Sequence, residues 1–324
     1  MQNRKKIIFI LGNGRSGTTL LNRVLSSHRD IGFINNEFNH LFWFWKKQPL
    51  YDRYGHEKYW EMANDFAKCF PSLSRKICLQ KDVFLSVNSF KEWFAVLLDY
   101  YCPGKFIAGI KIADFFAENT SMIESEFSDS YCLHIIRDPR DVFLSIKKTP
   151  IGKISPFYSG KSWAETVKAI RSLEMAKLNY HEVRYEDLVV SPAKELESIC
   201  SFLEVDFDGN MLRFYENPGQ EIMPYHQFLK RDFVSDNFNK WRKELKSEEI
   251  MLINSGCGET MRELGYTDAL TVPPIGFFRR LREFAYSKAS FYRLLIKYRK
   301  VFEFRNRRYR IKTLLRLLSR QKSR

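Results

Sequence analysis

Ile7-Ile8-Phe9-Ile10-Leu11, followed by Gly12-Asn13-Gly14-Arg15-Ser16-Gly17-Thr18-Thr19, carries the clearest chemistry in this 324-residue chain. Five apolar residues read as a buried parallel strand, a glycine-rich turn follows, and a helix opens at Thr18. That order aims backbone N–H groups and the positive end of a helix at one point, which makes an anion site. Gly12 and Gly17 have the spacing of a phosphate loop, but Thr18-Thr19 stand where Lys-Ser/Thr would be. The lysine that reaches β- and γ-phosphates is therefore missing, which disfavours an ordinary ATPase or a P-loop kinase. The positive charge sits earlier, at Arg15, so the loop can hold a nucleotide's 5′ anion by other means. The competing reading is a chance Gly/Ser/Thr-rich turn.

A second junction of the same kind follows Tyr131–Ile136. Arg137 leaves the strand tip, Pro139 sits in the first helical turn, and Ser145 lies eight residues on. From the carboxyl end of a neighbouring strand, Arg137 can form a bidentate pair with a phosphate and Ser145 can add a hydroxyl donor. Alternatively, Arg137 pairs at the surface with Asp138, Asp141 or Glu186.

The elements that must position these groups read as a helix over about Thr18–His28 and strands at Ile31–Ile34, Phe106–Ile110, Tyr131–Ile136 and Tyr180–Val183. Strands alternating with helices predict an α/β fold, a P-loop-type parallel sheet flanked by helices. Residues 38–105 are rich in aromatics at spacings of three and four, which predicts a helical insertion covering the site. Those aromatics are either helix core or substrate-pocket wall. Ser191-Pro192 reads as N-cap and first position of a helix, 205–236 as a long loop, and Ser247–Leu264 as the last helix of the body, ending at Gly265. Pro273-Pro274 separates a body, 1–270, from a tail, 271–324.

Charge distinguishes these two parts. The chain has a formal net charge of +15, and residues 277–324 alone hold 17 Lys/Arg against two acids, the whole of that excess. The body is neutral, so nothing about an acidic substrate follows from the total. In the tail, Phe277/Phe278, Leu281, Phe284/Ala285 and later apolar residues recur at helical spacing between cations. Basic amphipathic helices of this kind suit an anionic membrane surface, packing on the body or on a second subunit, or nonspecific attraction to a polyanion; no specific nucleic-acid module is present. The six cysteines show no metal-binding spacing, and neither a secretory signal nor a run of about 20 apolar residues is present. Reduced thiols in a cytoplasmic protein, with the tail on the inner face of the membrane, follow as the expectation. No motif speaks to the oligomeric state.

The chain resembles the PAPS-dependent sulfotransferases, in style the bacterial and tyrosylprotein branches, over about residues 6–268. Arg15-Ser16-Gly17-Thr18-Thr19-Leu20-Leu21 is similar to their 5′-phosphosulfate loop, and Arg137-Asp138-Pro139-Arg140-Asp141 with Ser145 to their 3′-phosphate motif. Tyr185-Glu186-Asp187-Leu188-Val189 resembles a segment whose tyrosine contacts the adenine. Lys240-Trp241-Arg242 resembles the late element whose basic residue returns to the nucleotide. The resemblance implies sulfuryl transfer from PAPS to an acceptor hydroxyl on a carbohydrate, lipid-linked or small molecule, with no metal required. Arg15, Ser16, Gly17, Thr18 and Thr19 would hold the 5′ end, Arg137 and Ser145 the 3′-phosphate, and Tyr185 and Lys240 the remainder. It further implies catalytic roles for Arg15, for Lys111, which stands where relatives place a lysine on the transferring group, and for Glu37 as base. Ser27-His28-Arg29-Asp30-Ile31 up to Glu37 is similar to the family's H-P-D-I…E segment, with Arg29 in place of Pro. Glu37 is otherwise a solvated helix-capping acid, Lys111 an exposed strand-end lysine, and His40 the rival base. A non-catalytic, membrane-associated PAP-binding homologue is the alternative function.

Overall fold

The structure is a computed structural model, described here for residues 5–34, 40–69, 77–113, 117–149, 154–216, 232–266 and 275–297. Two compact units divide the chain: Met1–Glu37 with Lys105–Phe291, and Phe38–Gly104 with Tyr292–Arg324.

The first unit holds five strands: β1 (Lys6–Gly12), β2 (Ile31–Phe33), β3 (Ile107–Ala113), β4 (Tyr131–Ile136) and β5 (Asn179–Arg184). They form one sheet in the order β2-β3-β1-β4-β5, every pair parallel. The described helices are α1 (Thr18–Ser26), α2 (His40–Tyr51), α3 (Lys58–Cys69), α4 (Lys81–Leu85), α5 (Phe90–Tyr101), α6 (Thr120–Glu126), α7 (Pro139–Lys147), α8 (Pro156–Met175), α9 (Tyr185–Val190), α10 (Pro192–Leu203), α11 (Trp241–Glu244), α12 (Ser247–Glu263) and α13 (Phe277–Lys297).

A central parallel strand is covered on both faces, which is why β1 is a continuous apolar run rather than an alternating one. Ile8 and Ile10 point to a core shared with Leu21, Val24 and Leu25 of α1, Leu133 and Ile135 of β4, and Leu196 and Ile199 of α10. On the opposite face Phe9 meets Phe127 edge to face at 5.2 Å. A second cluster joins Ile136, the α7 residues Val142, Phe143 and Leu144, Trp163 of α8, Trp241 of α11, and Ile253 and Met261 of α12.

The second unit contains α2 to α5. Phe44, Phe66 and Trp93 are fully buried and pack within 6 Å of one another, and Tyr51 donates to Asp65 at 3.0 Å. These aromatics are therefore helix core, whereas Phe42, Trp43 and Trp45 are only half-buried.

Several boundaries depart from the expectations. α1 ends at Ser26, two residues early. β3 continues to Ala113, so Lys111 lies within the strand and pairs in register with Ile10. The stretch 205–236 includes a 3-10 helix over Gly209–Glu216, because Met211 and Phe214 are buried against the core. Ser191 precedes α10 but its side chain makes no cap bond, since the same residue closes α9 and its backbone is set by that junction.

Candidate active site

β1 leads toward the β2 edge of the sheet and β4 toward the β5 edge, so their carboxyl ends flank a topological switch point. Open parallel sheets bind ligands there. The loop after β1, Arg137 after β4 and Tyr185 after β5 all emerge on this edge.

The loop is shaped by close approach. A Cβ on Gly12 would lie 2.7 Å from the Ile135 carbonyl oxygen, so only glycine fits beside β4. Gly17 caps α1 with φ +102°, and a Cβ there would meet the Tyr185 ring at 2.5 Å. Arg15 also has positive φ (72°), which an L-residue adopts at a cost. Arg15 Nε donates to Ser145 Oγ at 3.1 Å, joining the two junctions directly. Ser16 is 1% exposed, and its hydroxyl has no hydrogen-bond partner among the described residues.

Lys111 is buried and its ammonium donates to Thr19 Oγ1 at 3.0 Å, at the start of α1. Arg137 is buried as well. Its guanidinium donates to the Asn237 carbonyl at 2.7 Å and the Arg15 carbonyl at 3.4 Å, and lies 4.1 Å from the centre of the Tyr185 ring. Its Nε has no partner, and no carboxylate among the described residues lies within ion-pairing distance of it.

The neighbouring acids are committed elsewhere, which excludes surface pairing for Arg137. Asp138 caps α7 and pairs with Arg140 at 2.6 Å. Asp141 accepts from the backbone N–H groups of Asn239 (2.6 Å) and Trp241 (3.1 Å). Burial pushes the Asp141 carboxyl up from its ordinary range, against the pull of the Arg137 charge. Glu186 is likewise pushed up by burial and accepts from the Asp138 N–H.

Asn237 and Trp163 had no recognised role in the sequence, and Asp141 was weighed there only as part of the Arg137 motif or as its surface partner. Asn237 donates to the Tyr185 hydroxyl at 2.6 Å and accepts from Lys240 at 3.1 Å, so it ties three expected site residues together. Asp141 anchors the 239–241 backbone, and Trp163 donates from its indole N–H to the Arg137 carbonyl at 3.0 Å. The available signals were an acid four residues after Arg137 and an amide three residues before Lys240. Thus Arg15, Ser16, Gly17, Thr18, Thr19, Lys111, Arg137, Ser145, Tyr185 and Lys240 all lie around the carboxyl ends of β1, β3, β4 and β5. Glu37 lies outside the described residues, and His40 begins α2 of the other unit. A cavity of about 510 Å³ lined by Asp30, Phe106, Glu204 and Val205 opens at the amino-terminal edge of the sheet, away from this chemistry.

Arg15, Lys111, Arg137 and Lys240, gathered at a phosphate-type loop, define an anion-binding α/β protein. Residues 8–209 match the profile described as "Sulfotransferase family" and residues 157–265 one described as "Sulfotransferase domain"; the chain belongs to the sulfotransferase family. It is 29% identical over 161 residues to carbohydrate sulfotransferase 4 of Mus musculus, covering 42% of this chain and 42% of that protein. With carbohydrate sulfotransferase 1 of Homo sapiens it shares 29% over 92 residues, 28% of this chain and 22% of the relative. The chain thus spans less than half the length of these curated relatives. Its fold is that of the sulfotransferase domain from the curacin biosynthetic pathway, with a TM-score of 0.54, 21% identity, and coverage of 81% of this chain and 98% of the other. The sulfotransferase domain from the Synechococcus PCC 7002 olefin synthase gives a TM-score of 0.54 at 24% identity, covering 79% and 95%.

Proposed function

We propose that the protein transfers the sulfuryl group of PAPS to an acceptor hydroxyl and releases PAP. The observation that carries this reading is the buried Arg137 Nε and Ser16 hydroxyl, both lacking partners within a cluster of cations. Leaving such donors unpaired is costly, and a bound phosphate or sulfate oxygen removes that cost.

PAPS supplies an activated sulfuryl group whose S–O bond to the 5′-phosphate breaks as the acceptor oxygen bonds to sulfur. The amides of Gly17, Thr18 and Thr19 and the Ser16 hydroxyl hold the 5′ end at the start of α1. Lys111, fixed on β3 and steered by Thr19, stabilises charge on the transferring group and the leaving oxygen. Arg137, Ser145 and the Arg15 side chain that reaches Ser145 grip the 3′-phosphate, so Arg15 serves both junctions through backbone and side chain. Tyr185, oriented by Asn237, offers a ring face to the adenine, and Lys240 closes the site from the 237–241 segment. Glu37, in the segment after β2, takes the acceptor proton, with His40 the rival base.

The names of the curated relatives support a carbohydrate acceptor. We place catalysis in the body, 1–270, and assign 271–324 to a separate basic tail. All six cysteines are thiols outside any disulfide, which supports a reducing, cytoplasmic compartment.

The test is PAP release from PAPS in the presence of a panel of sugar acceptors, measured by chromatography. Glu37→Gln should lower kcat about 100-fold with KM for PAPS little changed. An equal loss in His40→Gln, with Glu37→Gln active, would move the base to His40. If no acceptor stimulates PAP release by the wild type, the carbohydrate assignment fails.

A further inference from the structure

We infer that α13 lies in the plane of an anionic lipid surface and docks the protein there through Phe277, Phe278 and Leu281. The inference rests on which side of the helix faces outward. An amphipathic helix on a globular protein ordinarily turns its apolar stripe to the core and its charges to water. α13 does the reverse. Its one described carboxylate, Glu283, is buried and accepts a hydrogen bond from the fully buried Ser155 at 2.8 Å. Arg279, on the same side, pairs with Glu248 of α12. The helix is therefore held to the body by these polar contacts and, at its edge, by the Phe284 ring, whose centre lies 6.1 Å from that of Tyr158 on α8.

At about 100° per residue, positions 277, 278 and 281 share the opposite side, with 284 at its margin. These residues are exposed by 73%, 84%, 53% and 45%. Arg280, Arg282 and Lys288 are also exposed on this helix, and Lys288 lies over the Phe284 ring at 5.4 Å. Glu283 is the sole acid between residues 277 and 302 and is turned inward; Arg282 lies 3.7 Å from both Glu283 and the exposed Glu248 of α12, so Arg280 and Lys288 supply the outward positive charge. A contiguous exposed apolar ridge bordered by cations matches the acyl–headgroup boundary of an anionic bilayer. No helix among the described residues is long and apolar enough to cross a membrane. This inference stands independently of the sulfuryl-transfer reading.

The test is co-sedimentation of the full chain with phosphatidylcholine vesicles, with and without phosphatidylserine. The wild type should bind the anionic vesicles, bind the neutral ones weakly, and lose binding as salt rises. Phe277→Ser combined with Phe278→Ser and Leu281→Ser should weaken anionic-vesicle binding about tenfold or more while leaving the melting temperature unchanged. Equal binding by wild type and triple variant, or none by either, overturns the inference. So does a dimer on sedimentation that the triple variant dissolves, which would make a second copy the occupant. Duplex DNA bound as tightly as the vesicles, and insensitive to the apolar substitutions, would overturn it in favour of a polyanion.

Discussion

Gly17→Ala tests how the loop and Tyr185 are fitted together. Gly17 has φ +102°, where an L-residue costs about 1–2 kcal/mol. The new methyl would also sit 2.5 Å from Tyr185 Cδ2 and 3.1 Å from Ile135 Cδ1. Tyr185 cannot readily give way, because it is buried, hydrogen-bonded to Asn237 and stacked on Arg137. Overpacking of that kind costs about 1–3 kcal/mol, so the total loss should be about 2–5 kcal/mol. In a Tyr185→Ala background the ring is gone, and the cost of Gly17→Ala should fall to the backbone share of about 1–2 kcal/mol. Urea unfolding of the four proteins of this cycle, with the denaturant slope unchanged, provides the measurement. Equal costs in both backgrounds would refute the packing argument, and a neutral Gly17→Ala would refute the backbone argument as well.

Two other perturbations separate chemistry from structure. Lys111→Met should lower kcat about 10²- to 10³-fold with KM for PAPS within a few-fold, as expected of a group acting on developing charge; retained kcat in steady-state assays would reduce Lys111 to a partner of Thr19. His134 accounts for a pH effect on stability remote from the site. Burial pushes its imidazole down to about 3, outweighing the opposing attraction of Glu182, while its Nδ1 is hydrogen-bonded to the Tyr180 hydroxyl at 2.6 Å. A depressed folded-state value means that the unfolded chain takes up the proton first. The His134 contribution is therefore complete above pH ~6.5 and is lost progressively toward pH 3, amounting to about 2 kcal/mol by pH 5. Urea unfolding at pH 7 and pH 5 should show this loss in the wild type and a correspondingly smaller one in His134→Asn; equal slopes would contradict it.

Local rules made much of this arrangement legible. The Ile7–Leu11 run, Gly17 at the helix start and Pro139 after Asp138 are short-range signals, and each stands where expected. Lys111 was legible as lying at a strand tip, whereas β3 carries on two residues past it. The long-range contacts had no local signature. Asn237 meets Tyr185 across 52 positions of sequence and Asp141 caps Asn239 across 98, so only the folded chain brings them together. The positive φ of Arg15 was hidden because nothing in an arginine announces a left-handed backbone. Helical spacing identified α13 but could not say which face docks, and there polar contacts to Ser155 and Glu248 decide against the usual rule.

The central claim is that Arg137 anchors a nucleotide 3′-phosphate, and calorimetric titration with PAP tests it most directly. The wild type should bind PAP with a Kd of about micromolar order and bind ATP with Mg²⁺ far more weakly. Arg137→Ala should weaken PAP by about 10- to 100-fold, the effect of losing charge-assisted hydrogen bonds in a buried site. Unchanged PAP affinity in the variant would contradict the assignment of Arg137. Binding of ATP with Mg²⁺ but not of PAP by the wild type would contradict PAPS-dependent sulfuryl transfer itself.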